Sequence, residues 1–155
     1  MAMSIQEIQR LATQTAKRAE GNEIAILAAL GAIGNDAALQ AFTLDGGRMV
    51  FSAGAMANRG RKLFDKFKKY LHKAVCVDFD YCSNRAQVDA DLQKYLPDII
   101  KKIIARIPIS GKLPTWLVGI LKIFGITVGS LDVVVCLLVA WLIVRGCDAL
   151  CECKK

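Results

Sequence analysis

The chain has 155 residues, of which 54% are hydrophobic, with a mean hydropathy of +0.37. These values set aside an ordinary soluble composition, where ~45–50% apolar is usual even with glycine counted, and the three prolines leave room for long helices. The net charge of +7 is concentrated: residues 1–57 balance at −1, residues 58–112 hold thirteen basic against six acidic groups, and residues 113–155 balance at +1. A basic excess placed directly before an apolar run suits anionic lipid headgroups, with nucleic acid as the competing partner.

Residues 1–20 are polar and amphipathic and contain no apolar h-region, so membrane insertion is expected to use the C-terminal segment. Ser4-x-x-Glu7 is a capping box, and Ile5, Ile8, Leu11 and Ala12 follow at helical spacing, predicting a helix from about Ser4 to Ala19. Gly21 ends it and Asn22 caps the next, Glu23–Ile33. That helix is too short to span a bilayer. Its Ala and Gly residues permit close helix approach, in core packing first and in an oligomer interface second. A third helix is expected from Asn35-Asp36 to Ala41, followed by a turn at Asp45-Gly46-Gly47. Met49–Phe51 has strand character but no second strand to pair with, so helix or loop is preferred. Arg59-Gly60-Arg61-Lys62 lacks the spacing and the hydroxyl of a phosphate-binding loop.

Residues 61–75 place Leu63, Phe64, Phe67, Tyr70, Leu71 and Ala74 on one face and Arg61, Lys62, Lys66, Lys68, Lys69 and Lys73 on the rest, a basic amphipathic helix. Between Val75 and Arg85 the apolar residues alternate with Cys76, Asp78, Asp80 and Cys82. A strand and an extended loop are equally open there. Residues Gln87–Ile107 return to helix, with Pro97 either kinking it or starting a new one. Ile99, Ile100, Ile103, Ile104 and Ile107 form one stripe, opposed by Lys101, Lys102 and Arg106.

The run Lys112–Arg145 carries only Lys122 and Asp132 between its cationic ends. It exceeds the ~20 apolar residues that a spanning helix needs. A single span would cover roughly Phe124–Val144 with Asp132 near mid-depth. A hairpin would turn at Gly129-Ser130 between arms Leu113–Val128 and Leu131–Arg145, keep both cationic ends on the cytoplasmic side, and place Trp116 and Trp141 at the interface. The hairpin is preferred. A soluble protein whose hydrophobic hairpin is wrapped by its amphipathic helices is the third arrangement. It is compatible with insertion in a second state.

The expected fold is therefore all-α: a helical N-terminal region (1–58), a basic amphipathic region (59–111), and a hydrophobic membrane segment with a Cys-rich tail (112–155). Cys147, Cys151 and Cys153 crowd that tail, where reduced, bridged and modified states are all open. Cys76 and Cys82 are expected to be reduced structural thiols, and no secreted disulfide framework is expected. His72, Cys76 and Cys82 make a weak three-ligand metal alternative, and no metal or other cofactor is expected. One histidine, without an acid–nucleophile pattern, gives no catalytic residues and no enzyme. The expected function is a membrane protein that self-associates and forms or supports a pore or lesion. Lys66, Lys69, Lys73, Lys101, Lys102 and Arg106 would contact headgroups, and Trp116, Lys122, Asp132 and Trp141 would set depth, interface and lumen. The expected partners are an anionic bilayer and further copies of the chain, with the bulk of the chain cytoplasmic. A membrane-anchored adaptor using its N-terminal helices is the alternative, followed by a soluble nucleic-acid-binding module.

Overall fold

The computed structural model describes residues 3–33 and 53–153, and every regular element among them is helical. The expected helix at Asn35–Ala41, the turn at Asp45–Gly47 and the segment Met49–Phe51 lie outside the described residues.

Helix α1, Ile5–Arg18, starts with the expected reciprocal cap. Ser4 Oγ accepts from the Glu7 N–H at 3.2 Å, and Glu7 Oε1 accepts from the Ser4 N–H. Ile8, Ala12 and Ala16, each four residues apart, are its buried face. Helix α2, Glu23–Ala32, is capped by Asn22, whose side chain accepts from the Ile24 N–H at 3.0 Å. Ile26 through Ala32 are all buried. A helix that is apolar all round requires neighbours on every side, so the Ala and Gly residues of α2 serve packing within the chain.

The closest of these neighbours is α3, Ala53–His72. Gly60 sets the distance: a Cβ built there would lie 1.6 Å from the Leu27 carbonyl oxygen. Leu63, Phe64, Phe67 and Leu71 are buried while Arg61, Lys62, Lys66, Lys68 and Lys69 are exposed, as the amphipathic pattern predicts.

The segment after α3 departs from expectation. Lys73–Asp78 continues the helix with wider π-type turns, closed by the Phe79 N–H on the Ala74 carbonyl at 2.9 Å, and Tyr81–Asn84 is a 3-10 turn. Neither a strand nor an extended loop forms. Burial does not follow the sequence alternation: Val75 and Tyr81 are buried but Val77 is 61% exposed.

Helix α4, Arg85–Ala90, and α5, Leu92–Arg106, are separated at Asp91, whose carboxylate accepts from the Lys94 N–H. The break therefore falls at Asp91, and Pro97 sits inside α5. Proline leaves the carbonyl four residues earlier without its donor. Here that carbonyl belongs to Gln93, and Gln9 Nε2 of α1 donates to it at 2.9 Å. Ile99, Ile100, Ile103 and Ile107 are buried and Ile104 is half-buried, with Lys101, Lys102 and Arg106 outside.

Helix α6, Thr115–Phe124, ends at Gly125 (φ 66°); a 3-10 turn, Val128–Ser130, leads into α7, Leu131–Arg145, and α8, Cys147–Cys151, follows. Val134 through Leu142 are all buried. α7 packs mainly on α1 and then α2, with α5 alongside. The expected arm Leu113–Val128 is helical over only ten residues, ~15 Å of rise. That is about half of a hydrocarbon core, and α7 takes its close neighbours from the N-terminal helices. A single apolar cluster holds Ile8, Phe67, Ile100 and Leu137 together.

Gly60 and Gly119 separate the packing requirement from helix propensity. Gly60→Ala is expected to lower the unfolding free energy by about 3 kcal/mol, the upper end for overpacking. Gly119→Ala, where an added Cβ meets nothing, is expected to raise it by ~0.5–1 kcal/mol. Urea titrations followed by circular dichroism measure both, and equal midpoints would contradict the packing account.

Candidate functional site

The residues flanking α7 decide how it is held. At its C-terminal end the chain is stapled. Cys151 is bonded to Cys76 and Cys153 to Cys82, across 75 and 71 residues of sequence. This corrects the expectation of reduced thiols at Cys76 and Cys82, and it makes Cys151 and Cys153, whose state the sequence leaves open, bridged. It also removes Cys76 and Cys82 as metal ligands beside His72, and leaves His72 no thiolate at Cys76. No other metal-ligand cluster occurs among the described residues. Cys136 and Cys147 are free and buried, and burial pushes the Cys147 thiol up to about 12.

Beside the staple, Tyr81 is buried with its hydroxyl donating to Asp89 Oδ1 at 2.6 Å. Burial and that carboxylate both raise its pKa. Arg85 bridges Asp89 at 3.8 Å and Asp148 at 3.3 Å, which ties α4 to α8.

The other end of the molecule is held by Arg59, a residue the sequence did not single out for this role. Its Nη2 donates to the Ile33 carbonyl at 3.2 Å and also to the Phe124 carbonyl, and its guanidinium lies 5.6 Å from the Phe124 ring centroid. These are the C-terminal carbonyls of α2 and α6, the negative ends of two helix dipoles, so one cation joins both.

The six residues expected to meet headgroups lie on α3, its π-type continuation and α5. Lys66 and Lys69 are exposed on α3, Lys73 is half-buried at the start of the π segment, and Lys101, Lys102 and Arg106 are exposed on α5. α5 packs directly on the π segment. Arg106 donates to both Asp78 carboxylate oxygens, Nε at 2.7 Å and Nη2 at 2.9 Å. That guanidinium holds the Asp78 carboxyl below its ordinary range, with Lys102 adding to the effect. A depressed carboxylate pKa means the pair is fully formed above the ordinary Asp range and is lost as pH falls through the folded value. Arg106 therefore offers less free charge than the lysines beside it.

The four residues expected to set membrane depth are dispersed. Trp116 stacks on Tyr70, 3.5 Å between centroids at 9°, and meets Phe67 edge-on at 6.3 Å. Trp141 is buried against Phe64 at 4.7 Å. In this conformation the indoles pack against α3, and neither stands free at an interface. Lys122 is exposed in the last turn of α6. Asp132 is half-buried in the first turn of α7, where its carboxylate accepts from the Val133 N–H at 2.8 Å and faces the positive helix end. A surface cleft of about 460 Å³ opens between Tyr70, Arg106, Pro108, Lys112 and Trp116.

The arrangement gives an apolar helix enclosed by its own chain, stapled at one end, with two basic faces outside. No family model, curated protein or solved structure matches the chain.

Thiol chemistry reads this arrangement directly. The native protein is expected to take no iodoacetamide at about pH 8, because a thiol titrating near 12 has little thiolate there. Unfolding without reductant should expose the two free cysteines, and reduction should bring the count to six. Intact-mass measurement gives the counts. Peptide mapping should return the pairs Cys76–Cys151 and Cys82–Cys153. Uptake of six labels without reductant would contradict the staple. The double variant Cys76→Ala, Cys151→Ala is expected to lose about 2–3 kcal/mol of stability, because the intact Cys82–Cys153 bond keeps the long loop closed and only the short ring between the two bridges is released.

Proposed function

We propose that the protein is a membrane-active helical protein that keeps its spanning segment inside the bundle and presents it at an anionic bilayer, where copies associate and form or support a lesion. The observation that supports this most is the segment Val128–Arg145. It has 18 residues, a mean hydropathy of 2.2 and 56% of its length buried. At 1.5 Å per residue it measures ~27 Å, close to the ~30 Å hydrocarbon core.

The outward cations supply the approach. Lys66, Lys69, Lys101 and Lys102 are exposed, and each basic residue near an anionic surface is worth ~1 kcal/mol. Lys73 and Arg106 add to this field, Arg106 less so because it is shared with Asp78. On leaving the bundle, Trp116 and Trp141 would exchange Tyr70 and Phe64 for the interfacial zone, and Lys122 and Asp132 would flank the entering end of the span. Two disulfides last in an oxidising compartment. This favours an extracytoplasmic bundle over the cytoplasmic placement expected from flanking charge.

A second reading takes α7 as the permanent core of a helical protein that binds a partner through its basic faces. The burial of α7 by α1 and α2 favours it.

Co-sedimentation with vesicles divides the two. Binding to phosphatidylcholine vesicles is expected to rise with added phosphatidylglycerol and to fall with salt, as for screened surface charge. The variant Lys66→Gln, Lys69→Gln, Lys101→Gln, Lys102→Gln should bind at least about tenfold more weakly with its thermal unfolding unchanged, given ~1 kcal/mol for each cation. Dye release from the same vesicles separates a lesion from simple anchoring. Protein that stays in the supernatant at every lipid composition would leave the second reading.

A further inference from the structure

Among the described residues four large apolar side chains are exposed, Ile24, Val77, Ile123 and Val128, and the last two fall close together in the chain. Ile123 is 72% exposed and Val128 51% exposed. Both belong to the short connection between α6 and α7. Ile123 lies in the last turn of α6, and Val128 opens the 3-10 turn that leads into α7. Lys122, also exposed, stands beside Ile123 and is the one charged residue between Lys112 and Asp132.

We propose that this α6–α7 turn is the part of the protein that first enters an anionic bilayer, with Ile123 and Val128 in the acyl boundary and Lys122 at the headgroups. The proposal rests on the membrane reading given above and names the surface through which it acts. Three observations carry it. First, Val128 is also the first residue of the apolar segment Val128–Arg145, so the exposed tip is continuous with the span it would lead. Second, the opposite end of α7 is stapled, since Cys151 and Cys153 follow it directly and are bonded to Cys76 and Cys82. The turn end has no covalent tie and is held through the Arg59 contacts to Phe124, so it is the end of α7 that non-covalent opening can release. Third, the tip combines apolar side chains with a cation, the pairing that an anionic interface attracts and a neutral apolar partner does not.

A second copy of the chain is the competing occupant. The two side chains offer on the order of 200 Å² of apolar surface, against the ~800 Å² per partner of a stable interface. A narrow tip suits insertion between lipids better than a face-to-face contact.

The test uses the full-length oxidised protein. Cys136 and Cys147 are buried, so an added exposed cysteine can be labelled selectively with an environment-sensitive fluorophore (NBD). Ile123→Cys and Val128→Cys carry the probe at the tip, and Gln14→Cys, exposed on the polar face of α1, is the reference. The probes are mixed with phosphatidylcholine–phosphatidylglycerol vesicles, and co-sedimentation and emission are read on the same samples. The expected result is co-sedimentation with a blue shift and a severalfold emission gain at residues 123 and 128 and none at 14. The pair Ile123→Glu, Val128→Glu should bind at least about tenfold more weakly, since it puts two charges where apolar contact was, with an unchanged circular dichroism spectrum. Co-sedimentation without a tip shift would overturn the tip assignment and leave the membrane reading standing. Absence of co-sedimentation would overturn both. A tip blue shift in vesicle-free solution, together with a dimeric mass by light scattering, would assign the tip to a second copy instead.

Discussion

A helix with no polar face has to be covered on every side, and α7 is such a helix. Over Val134–Leu142 each residue is buried, whichever way it points. Burial of a large aliphatic side chain is worth ~1.5–3 kcal/mol, so enclosing this run is the largest single constraint on the architecture. α1 and α2 answer it from one side and α5 from another. Their sequences divide accordingly: α1 and α5 are amphipathic and face water with polar and basic residues. α2 is apolar all round and needs α3 to cover the side that α7 does not. The Gly60 contact with the Leu27 carbonyl follows from that need, because only a residue without a Cβ lets α3 come close enough.

The cover is not held uniformly. The part of the chain from residue 76 onward is closed by the two disulfides, which join residues 76 and 82 to the tail, with α3 entering it through the π segment. α1 and α2 lie outside both loops. Among the described residues they are held by apolar packing and a few polar links: Gln9 on the Gln93 carbonyl, Arg145 on Glu23 at 2.7 Å, and Arg59 on the Ile33 carbonyl. Links of this kind are worth about 1 kcal/mol each, far less than a covalent closure of some seventy residues. Any partial opening of the bundle therefore begins at the N-terminal helices, and these are the helices that cover α7. The staple and the cover are in this way complementary: one fixes the C-terminal end of α7, and the other is the removable side.

Local signals were readable where a residue acts on its own chain neighbours. The Ser4–Glu7 box, the Asn22 cap, and the apolar stripes of α3 and α5 all form where the spacing places them. What escaped the sequence depends on residues far away in the chain. The alternation at Val75–Tyr81 left a strand and an extended loop open, and not the observed π-type turns, because periodicity takes no account of cysteines bonded some seventy positions on. Pro97 left kink and new start both open because its compensation comes from Gln9, on another helix. Trp116 and Trp141 looked like interfacial anchors because indole at the ends of an apolar run is typical there, and the same rings serve equally well as packing partners for Tyr70 and Phe64. Only Cys136 stood apart in the sequence, because it lies within the apolar run, and the spacing of the other five does not say which of them pair.

The observed helix limits also change which membrane arrangement is physically reasonable. α6 stops at Phe124 because Gly125 takes a left-handed conformation and Ile126 closes back on Leu121. Ten residues give ~15 Å, so α6 cannot serve as the second arm of a spanning hairpin without refolding. α7 with its preceding turn needs no such change. A span starting at Val128 puts Asp132 four residues, ~6 Å, from its entering end, and no longer at mid-depth. Near the interface a carboxylate costs much less than the ~2.5–3.5 kcal/mol assigned to a helix centre. Arg145 then sits at the other boundary with Trp141 one turn inside it, the order in which cationic and aromatic anchors settle at a bilayer surface. The stapled tail stays on the side of Cys76 and Cys82, so with both disulfides closed a spanning α7 obliges the chain between Cys82 and Val128 to cross back. The hairpin therefore requires α6 to be rebuilt, and the single span requires the disulfides to open.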